Sequence, residues 1–360
     1  MQIDHLQTLL DLIRFKTTHD RGTELQTCAD YIASFFEGTG LTIERIVHSG
    51  VPSVVITKGT KTPRVFLSGH FDVVPADEDQ FEPVIDGDKL FGRGAFDMKS
   101  GVAVMMHLMK AMAETSHDVG LMLTGDEEIG GYNGTKVLLE QGYRSEVVVV
   151  PDGGEAVHQQ ISKEKGILRI TLRANGKSAH ASRTWRGDNA IERLCDAVTA
   201  VRSVFTPLKD HPIDHWVTTA SVGLIQAGKA INQIPGVAEA SYDIRFTEHE
   251  TPEQILERIQ AVIPEGVEVI VTLSESNTFV AMDHPLVAPF AKALEQHGRS
   301  LEVSLGHGAS DGRYFAEQGI PFVMSQPDGG NHHGPGEWVS LQAVQLYHDV
   351  LKTYLDEVAM

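Results

Sequence analysis

The chain has 360 residues, 41% of them hydrophobic and 22% charged, and its 49 acidic against 30 basic residues give a formal net charge of -19. That length exceeds one ordinary hydrophobic core and points to two domains, and the balance of apolar and charged residues is that of a globular protein. A surface this acidic excludes nucleic acid and anionic membrane as partners, because both require basic surface.

Cys28 and Cys195 stand far apart with no metal-type spacing, which reads as two buried thiols in a reducing compartment. Residues 1–20 carry Asp4, His5, Asp11 and Arg14 among the apolar positions, so neither a signal peptide nor a membrane span is expected there. A cytoplasmic protein is the expectation. Apolar residues at helical spacing predict helices over Ile3–Phe15 and Glu24–Phe36, and alternation predicts paired strands over Leu41–Ile46 and Val51–Thr57. A buried strand at Arg64–Ser68 leads into His70-Phe71-Asp72, whose His and Asp share one face because strand side chains repeat every second residue. An Asp two positions on can accept the second ring nitrogen of a ligand His. A lone His-x-Asp reads equally as a core histidine at a strand end.

The downstream acids shift that balance toward a metal ligand. Gly92-Arg93-Gly94-Ala95-Phe96-Asp97-Met98-Lys99 sets Asp97 at the mouth of a helix, after glycines that permit a tight turn. The strand Gly120–Leu123 ends in Asp126-Glu127-Glu128, and after a helix near Thr135–Gln141 the strand Val147–Val150 ends on Asp152. In open α/β sheets ligands gather at the carboxyl ends of strands, where these acids and His70 all fall. Near the C-terminus lies Asn331-His332-His333-Gly334-Pro335-Gly336-Glu337. One His, three acidic strand ends and a late His match what two zinc-type ions need: N and O donors, a bridging carboxylate and an open position for water.

The segment after Ser162 has a different character. A strand at Gly166–Ala174, the run Gly176-Lys177-Ser178-Ala179-His180-Ala181-Ser182, a helix over Asp188–Val204, strands at Trp216–Leu224 and Ala238–Phe246, a helix at Pro252–Val262 and a strand at Val267–Leu273 form a small α+β unit. The pattern then returns to a helix (Pro285–His297), the loop Gly306–Gly312, a strand at Pro321–Met324 and an amphipathic helix over Leu341–Leu355. The reading is α/β, with a discontinuous catalytic domain of residues 1–163 and 277–360 and an inserted α+β domain of residues 164–276.

The set GHFDVVP, GRGAFDMKSG, TGDEEIGG, VPDGG and a late His-x-x-x-Glu resembles the zinc-dependent M20 amidohydrolases along nearly the whole chain. The resemblance implies a zinc-exopeptidase-like catalytic domain, its mixed sheet flanked by helices, and a ferredoxin-like lid or dimerisation domain. It implies two Zn2+ ions, with Co2+ or Mn2+ as alternatives. Asp97 would bridge them, His70 and Asp152 would hold one, and Glu128 and His333 the other. Asp72 would orient His70, and Glu127 would be the general base. His333 meets the family spacing to Glu337, which makes His332 a solvated or outer neighbour, and Asp126 would shape its turn. His180 would come from the lid to help hold the oxyanion, and in dimeric members it comes from the partner subunit. Asn232 and Arg245 would grip the substrate carboxylate. Arg313 would lie in the substrate loop or form a surface ion pair.

Thr184 stands where Pro often follows the lid Ser-Arg pair, Asp152 stands where the amino-acid deacylases usually carry Glu, and Phe96 and His307 have no role in this scheme. The activity implied is hydrolysis of the amide of an N-acyl amino acid or short peptide. Acetylornithine deacetylase, succinyl-diaminopimelate desuccinylase and dipeptidase or carboxypeptidase variants all remain open. A catalytically inactive metabolite-binding relative is the alternative of another class, and the survival of Glu127 and all five ligand candidates argues against it. A phosphate-cradling reading of Gly92–Gly94 fails because the surrounding pattern lacks a full GxGxxG or a GK[ST].

Overall fold

The computed structural model describes residues 5–360, and the chain divides into two compact units. The first comprises residues 1–163, 279–306 and 310–360, and the second comprises residues 164–278 with 307–309. His307–Ala309 thus groups with the second unit, although the sequence pattern places it in the returning catalytic segment. Positions 3 and 4 of the expected first helix lie outside the described residues, and the observed helix is Leu6–Arg14.

The first unit is built on a six-stranded mixed sheet in the order Thr42–His48, Val51–Thr57, Val119–Thr124, Val65–His70, Val147–Val150, Phe322–Met324. The first two junctions are antiparallel and the remaining three parallel. Every residue of Val65–His70, Val119–Thr124 and Val147–Val150 is buried. Because successive side chains point to opposite faces, burial without alternation means that both faces are covered. Helix Ser100–Ala111 is buried nearly all round and packs against Leu6–Arg14 and Leu341–Val358. Each large apolar side chain fully withdrawn from water there contributes roughly 1.5–3 kcal/mol. Gly101 lets the first turn of this helix cross close to the end of a strand, since a Cβ at that position would lie 2.6 Å from the Pro151 side chain, next to Asp152.

A second, small sheet in this unit has no counterpart in the expectations. It runs Gly329–Gly330, Trp338–Ser340, Lys89–Phe91, Val84–Asp86, antiparallel throughout. Its pairing of Trp338 with Phe91 brings the C-terminal histidine loop beside the Gly92–Asp97 loop.

The second unit is a four-stranded antiparallel sheet in the order Thr219–Ala227, Val237–Phe246, Gly166–Asn175, Val267–Glu275. With helices Ala190–Arg202 and Pro252–Gln260 the chain order is βαββαβ, the ferredoxin-like arrangement. Ala238, Ala240, Tyr242, Ile244 and Phe246 alternate into a separate core with Leu194, Ala197, Ile255 and Ile259. Asn189 caps the first helix by accepting the Ile191 N–H at 3.0 Å, and Thr251 and Gln254 form a capping box at the second. The strand expected at Trp216–Leu224 is displaced to Thr219–Ala227, because Trp216 is taken up by contacts with Glu248, Lys165 and His307. Cys28 is buried as expected, but Cys195 is exposed, having fallen on the outer side of its helix. Among the described residues no helix is long and apolar enough to cross a membrane.

Candidate metal centre

Three strand ends of the first unit deliver the acids and His70. Strand Val65–His70 runs two residues further than its apolar pattern, so His70 itself is the last residue of the strand, and it is buried. Its Nε2 stands 3.1 Å from Asp97 Oδ1, and its Nδ1 is 3.0 Å from the Asp72 carbonyl oxygen but 3.4 Å from the nearer Asp72 carboxylate oxygen. The ring is therefore held more closely by the Asp72 main chain than by its side chain. The Asp72 carboxylate instead accepts the backbone N–H groups of Glu127 and Glu128, at 3.2 and 3.0 Å. One buried aspartate thus ties the His70 strand end to the turn that carries both glutamates.

Asp97 is reached through Gly94, whose φ of 80° lies in the left-handed region that glycine enters without strain. Its position is set from the far end of the chain. The Glu337 carboxylate accepts the N–H groups of Gly94, Phe96 and Asp97, at 3.0, 2.8 and 3.0 Å, and pairs with Arg93 Nη1 at 2.6 Å. Arg93 Nη2 then donates to the carbonyls of His333 and Gly334, at 3.1 and 3.3 Å. This buried pair fastens the Asp97 loop to the histidine loop. In the sequence the only sign of it was Glu337 as a motif spacer.

At the centre, Asp97 Oδ2 lies 2.6 Å from His332 Nε2 and 3.1 Å from His333 Nε2, and His333 Nε2 is also 3.1 Å from Glu128 Oε2. Two groups of ligand atoms result, Asp97 with His332 and His333, and His70 with Asp97 and Asp152, each having all its atoms within 4.8 Å of one another. Asp97 belongs to both. Of the two expectations for His332, a solvated or an outer neighbour, its contact with Asp97 Oδ2 rules out the purely solvated one. Glu127 Oε2 is 3.9 Å from His70 Nε2, close to the cluster but outside both groups, and the expected ligand Glu128 also falls outside both, although it reaches His333.

The electrostatics follow from gathering so many carboxylates out of water. Burial pushes Glu127 well above the usual carboxylate range, with Asp152, Asp311 and Asp97 adding to the push and His70 opposing it. Burial also raises Glu128, partly offset by its bond to His333. Burial acts upward on Asp97 too, but the bonds from His332, His333 and His70 override it and hold the group well below its ordinary value. Burial would lower His70, yet Asp72 and Asp97 outweigh it and the net shift is well upward. Concentrated buried negative charge with interleaved imidazoles is the condition that a divalent cation relieves. The donor set, imidazole nitrogen with carboxylate oxygen, fits zinc-type ions.

Neighbouring groups shape this turn without joining the clusters. Asp126 Oδ2 accepts the Asn133 N–H at 2.8 Å, and burial pushes its pKa up to about 7. Arg313 is buried and donates to the Ser310 and Gly130 carbonyls, at 2.8 and 2.7 Å, and the Tyr314 hydroxyl donates to Gly130 as well, at 2.6 Å. Arg313 is thus not a surface ion pair: it is buried, and its guanidinium braces the turn just past Glu127 and Glu128. Phe96 packs edge-on against the His332 ring, with centroids 6.1 Å apart.

The remaining candidates belong to the second unit. His180 is exposed, with Nδ1 2.9 Å from Ser182 Oγ. The Asn232 carbonyl accepts the Ala181 N–H at 3.0 Å, and Arg245 Nε donates to Asp243 at 2.6 Å.

Residues 66–357 match the family described as peptidase family M20/M25/M40. A succinyl-diaminopimelate desuccinylase of Thioalkalivibrio sulfidiphilus is 28% identical over 98% of this chain and 100% of its own length. One of Rhodospirillum centenum is 30% identical over 98% of each chain. Among solved structures, a tripeptidase from Staphylococcus aureus superposes with a TM-score of 0.80 at 22% identity, covering 99% of this chain and 98% of its own. An M20 family metallo-carboxypeptidase from Sulfolobus solfataricus gives a TM-score of 0.78 at 17% identity, covering 99% and 100%. These structural likenesses bear on the fold, and the mixed α/β architecture is common to them. Since the matched stretch runs from the strand that carries His70 into the last helix, the chain belongs to the M20/M25/M40 peptidases and is a metal-dependent amidohydrolase or peptidase.

Proposed function

We propose that the chain uses two zinc-type ions to hydrolyse the amide bond of an N-acyl amino acid or short peptide. The observation that carries this reading is Asp97, a buried carboxylate whose two oxygens face different imidazoles, Oδ1 toward His70 and Oδ2 toward His333. Asp97 would bridge the ions, with His70 and Asp152 on one side and Glu128 and His333 on the other. Zn2+, or Co2+ or Mn2+ in its place, supplies Lewis acidity, lowering the pKa of water and polarising the scissile carbonyl.

The protein's own part is proton handling and placement. Glu127 sits beside the cluster without joining it, 3.9 Å from His70 Nε2, and burial raises its proton affinity, the direction that a proton-accepting group requires. It takes one proton from the attacking water and passes it to the departing amine as the C–N bond breaks. Asp72 keeps Glu127 and Glu128 in register with the His70 strand end. His180, Asn232 and Arg245 are assigned to the oxyanion and to the substrate carboxylate, which an arginine can hold by two parallel hydrogen bonds. The second unit is assigned as a lid, and as the contact of a homodimer.

The names of the relatives favour N-succinyl amino acids as substrates. A second reading, a di- or tripeptidase, is favoured by Asp152, since the amino-acid deacylases usually carry Glu there. Protein stripped by a chelator and reloaded with Zn2+ or Co2+ should be assayed against N-succinyl and N-acetyl amino acids and against di- and tripeptides. Metal-dependent release of a free amine from one class is the expected result. Hydrolysis that persists in verified metal-free protein refutes the mechanism.

A further inference from the structure

His332 immediately precedes the histidine that the metal scheme uses, and nothing in that scheme employs it. Asn331 and His333 have φ values of 58° and 57°, so the chain reverses hand on either side of His332. Two consecutive side chains are thereby turned toward the same carboxylate, with ring centroids 4.0 Å apart. The loop is braced in that form by Asn331 Nδ2 donating to the Gly336 carbonyl at 3.0 Å and by Arg93 donating to the His333 and Gly334 carbonyls. The edge-on Phe96 ring orients the His332 imidazole. Half of the His332 side chain remains in solvent, yet its Nε2 tip approaches Asp97 Oδ2 to 2.6 Å, closer than either His70 or His333 approaches that residue.

We propose that His332 is a fourth protein ligand on the ion held by Asp97, Glu128 and His333. The proposal rests on the two-ion reading above. Donors around a tetrahedral zinc ion, with bonds of about 2.1 Å, stand about 3.4 Å apart. The separations of 2.6 and 3.1 Å from the two imidazoles to Asp97 Oδ2 need to open by less than an ångström to reach that spacing. Glu128 stands outside the Asp97, His332 and His333 group but lies 3.1 Å from His333 Nε2. Once it closes on the ion, two imidazoles and two carboxylates complete one side of the centre, while His70, Asp97 and Asp152 leave an open position on the other. Closed four-donor sites are the structural kind, and three-donor sites keep room for water. The two ions should therefore bind unequally. The His332 side fills first, and its nitrogen-rich donor set prefers Zn2+ and Co2+ over Mn2+.

The test uses the full chain, stripped of metal and titrated with Zn2+ alone in competition with a chromogenic chelator, for wild type, His332→Ala and His332→Gln. Folding of each variant is checked by circular dichroism. Loss of an outer hydrogen-bonding partner costs about 10- to 100-fold in affinity, so ligation requires the tighter constant to weaken by more than about 100-fold while the weaker one stays in place. The visible spectrum of the Co2+-loaded protein should also change on losing one nitrogen donor. Two constants within 100-fold of wild type and an unchanged Co2+ spectrum would make His332 a hydrogen-bonding neighbour only and overturn the proposal while leaving the metal centre intact. A wild-type chain that takes up no zinc would overturn the centre and the proposal together.

Discussion

Replacing Glu337 by Gln isolates the contact that joins the two ends of the metal centre. The wild-type carboxylate is fully buried and serves four donors, the N–H groups of Gly94, Phe96 and Asp97 and the Arg93 guanidinium. Glutamine keeps one acceptor oxygen, enough for Phe96 and Asp97, which share Oε1. Its NH2 group then faces Gly94 N–H and Arg93, two donors that both used Oε2. Removing one partner of a buried ion pair costs roughly 3–5 kcal/mol, and the orphaned Gly94 N–H belongs within that range rather than on top of it, because the two effects share one oxygen. Against a typical total stability of about 5–15 kcal/mol the loss is large. Trp338 is the single tryptophan of the first unit, so urea unfolding followed by its fluorescence, with Trp185 and Trp216 replaced by Phe, reports on that unit. The protein is kept metal-free, because bound metal would add its own stabilisation. A fall in unfolding free energy below about 1 kcal/mol would refute the reasoning, since a surface-like pair is worth no more than that.

Two further outcomes concern particular groups. Glu127→Gln should lower turnover by about 10²- to 10⁴-fold with zinc content unchanged by elemental analysis, and a variant within tenfold of wild type removes Glu127 as the base. Burial pushes the Lys99 ammonium down from 10.5 to about 8. Between those pH values the unfolded chain holds a proton that the folded chain has released, so Lys99's unfavourable contribution shrinks as pH rises through that window. The stability of wild type relative to Lys99→Met should accordingly increase from pH 8 to 10.5, by at most about 3 kcal/mol; a flat difference in paired urea titrations contradicts the shift.

The parts of this protein that depend on neighbours along the chain could be read from residue order. Strand ends that carry His70, the Glu127–Glu128 pair and Asp152 were legible because unbroken apolar runs mark buried strands and the first polar residue marks their exit. The βαββαβ order of the inserted segment was legible from apolar alternation in its strands and helical spacing in its helices. The small sheet was missed even though Asp86-Gly87-Asp88 carries a turn signal, because its flanking strands are only three residues long and the residues of Val84–Asp86 are exposed. Long-range packing alone set Asp72 to brace the glutamate turn, turned Arg313 inward to Gly130, let Glu337 hold Asp97 from 240 residues away and brought His332 to the Asp97 carboxylate. Local periodicity states which side of a strand or helix is apolar. It cannot state which distant donor meets a given oxygen, and in this centre the distant donors set the geometry.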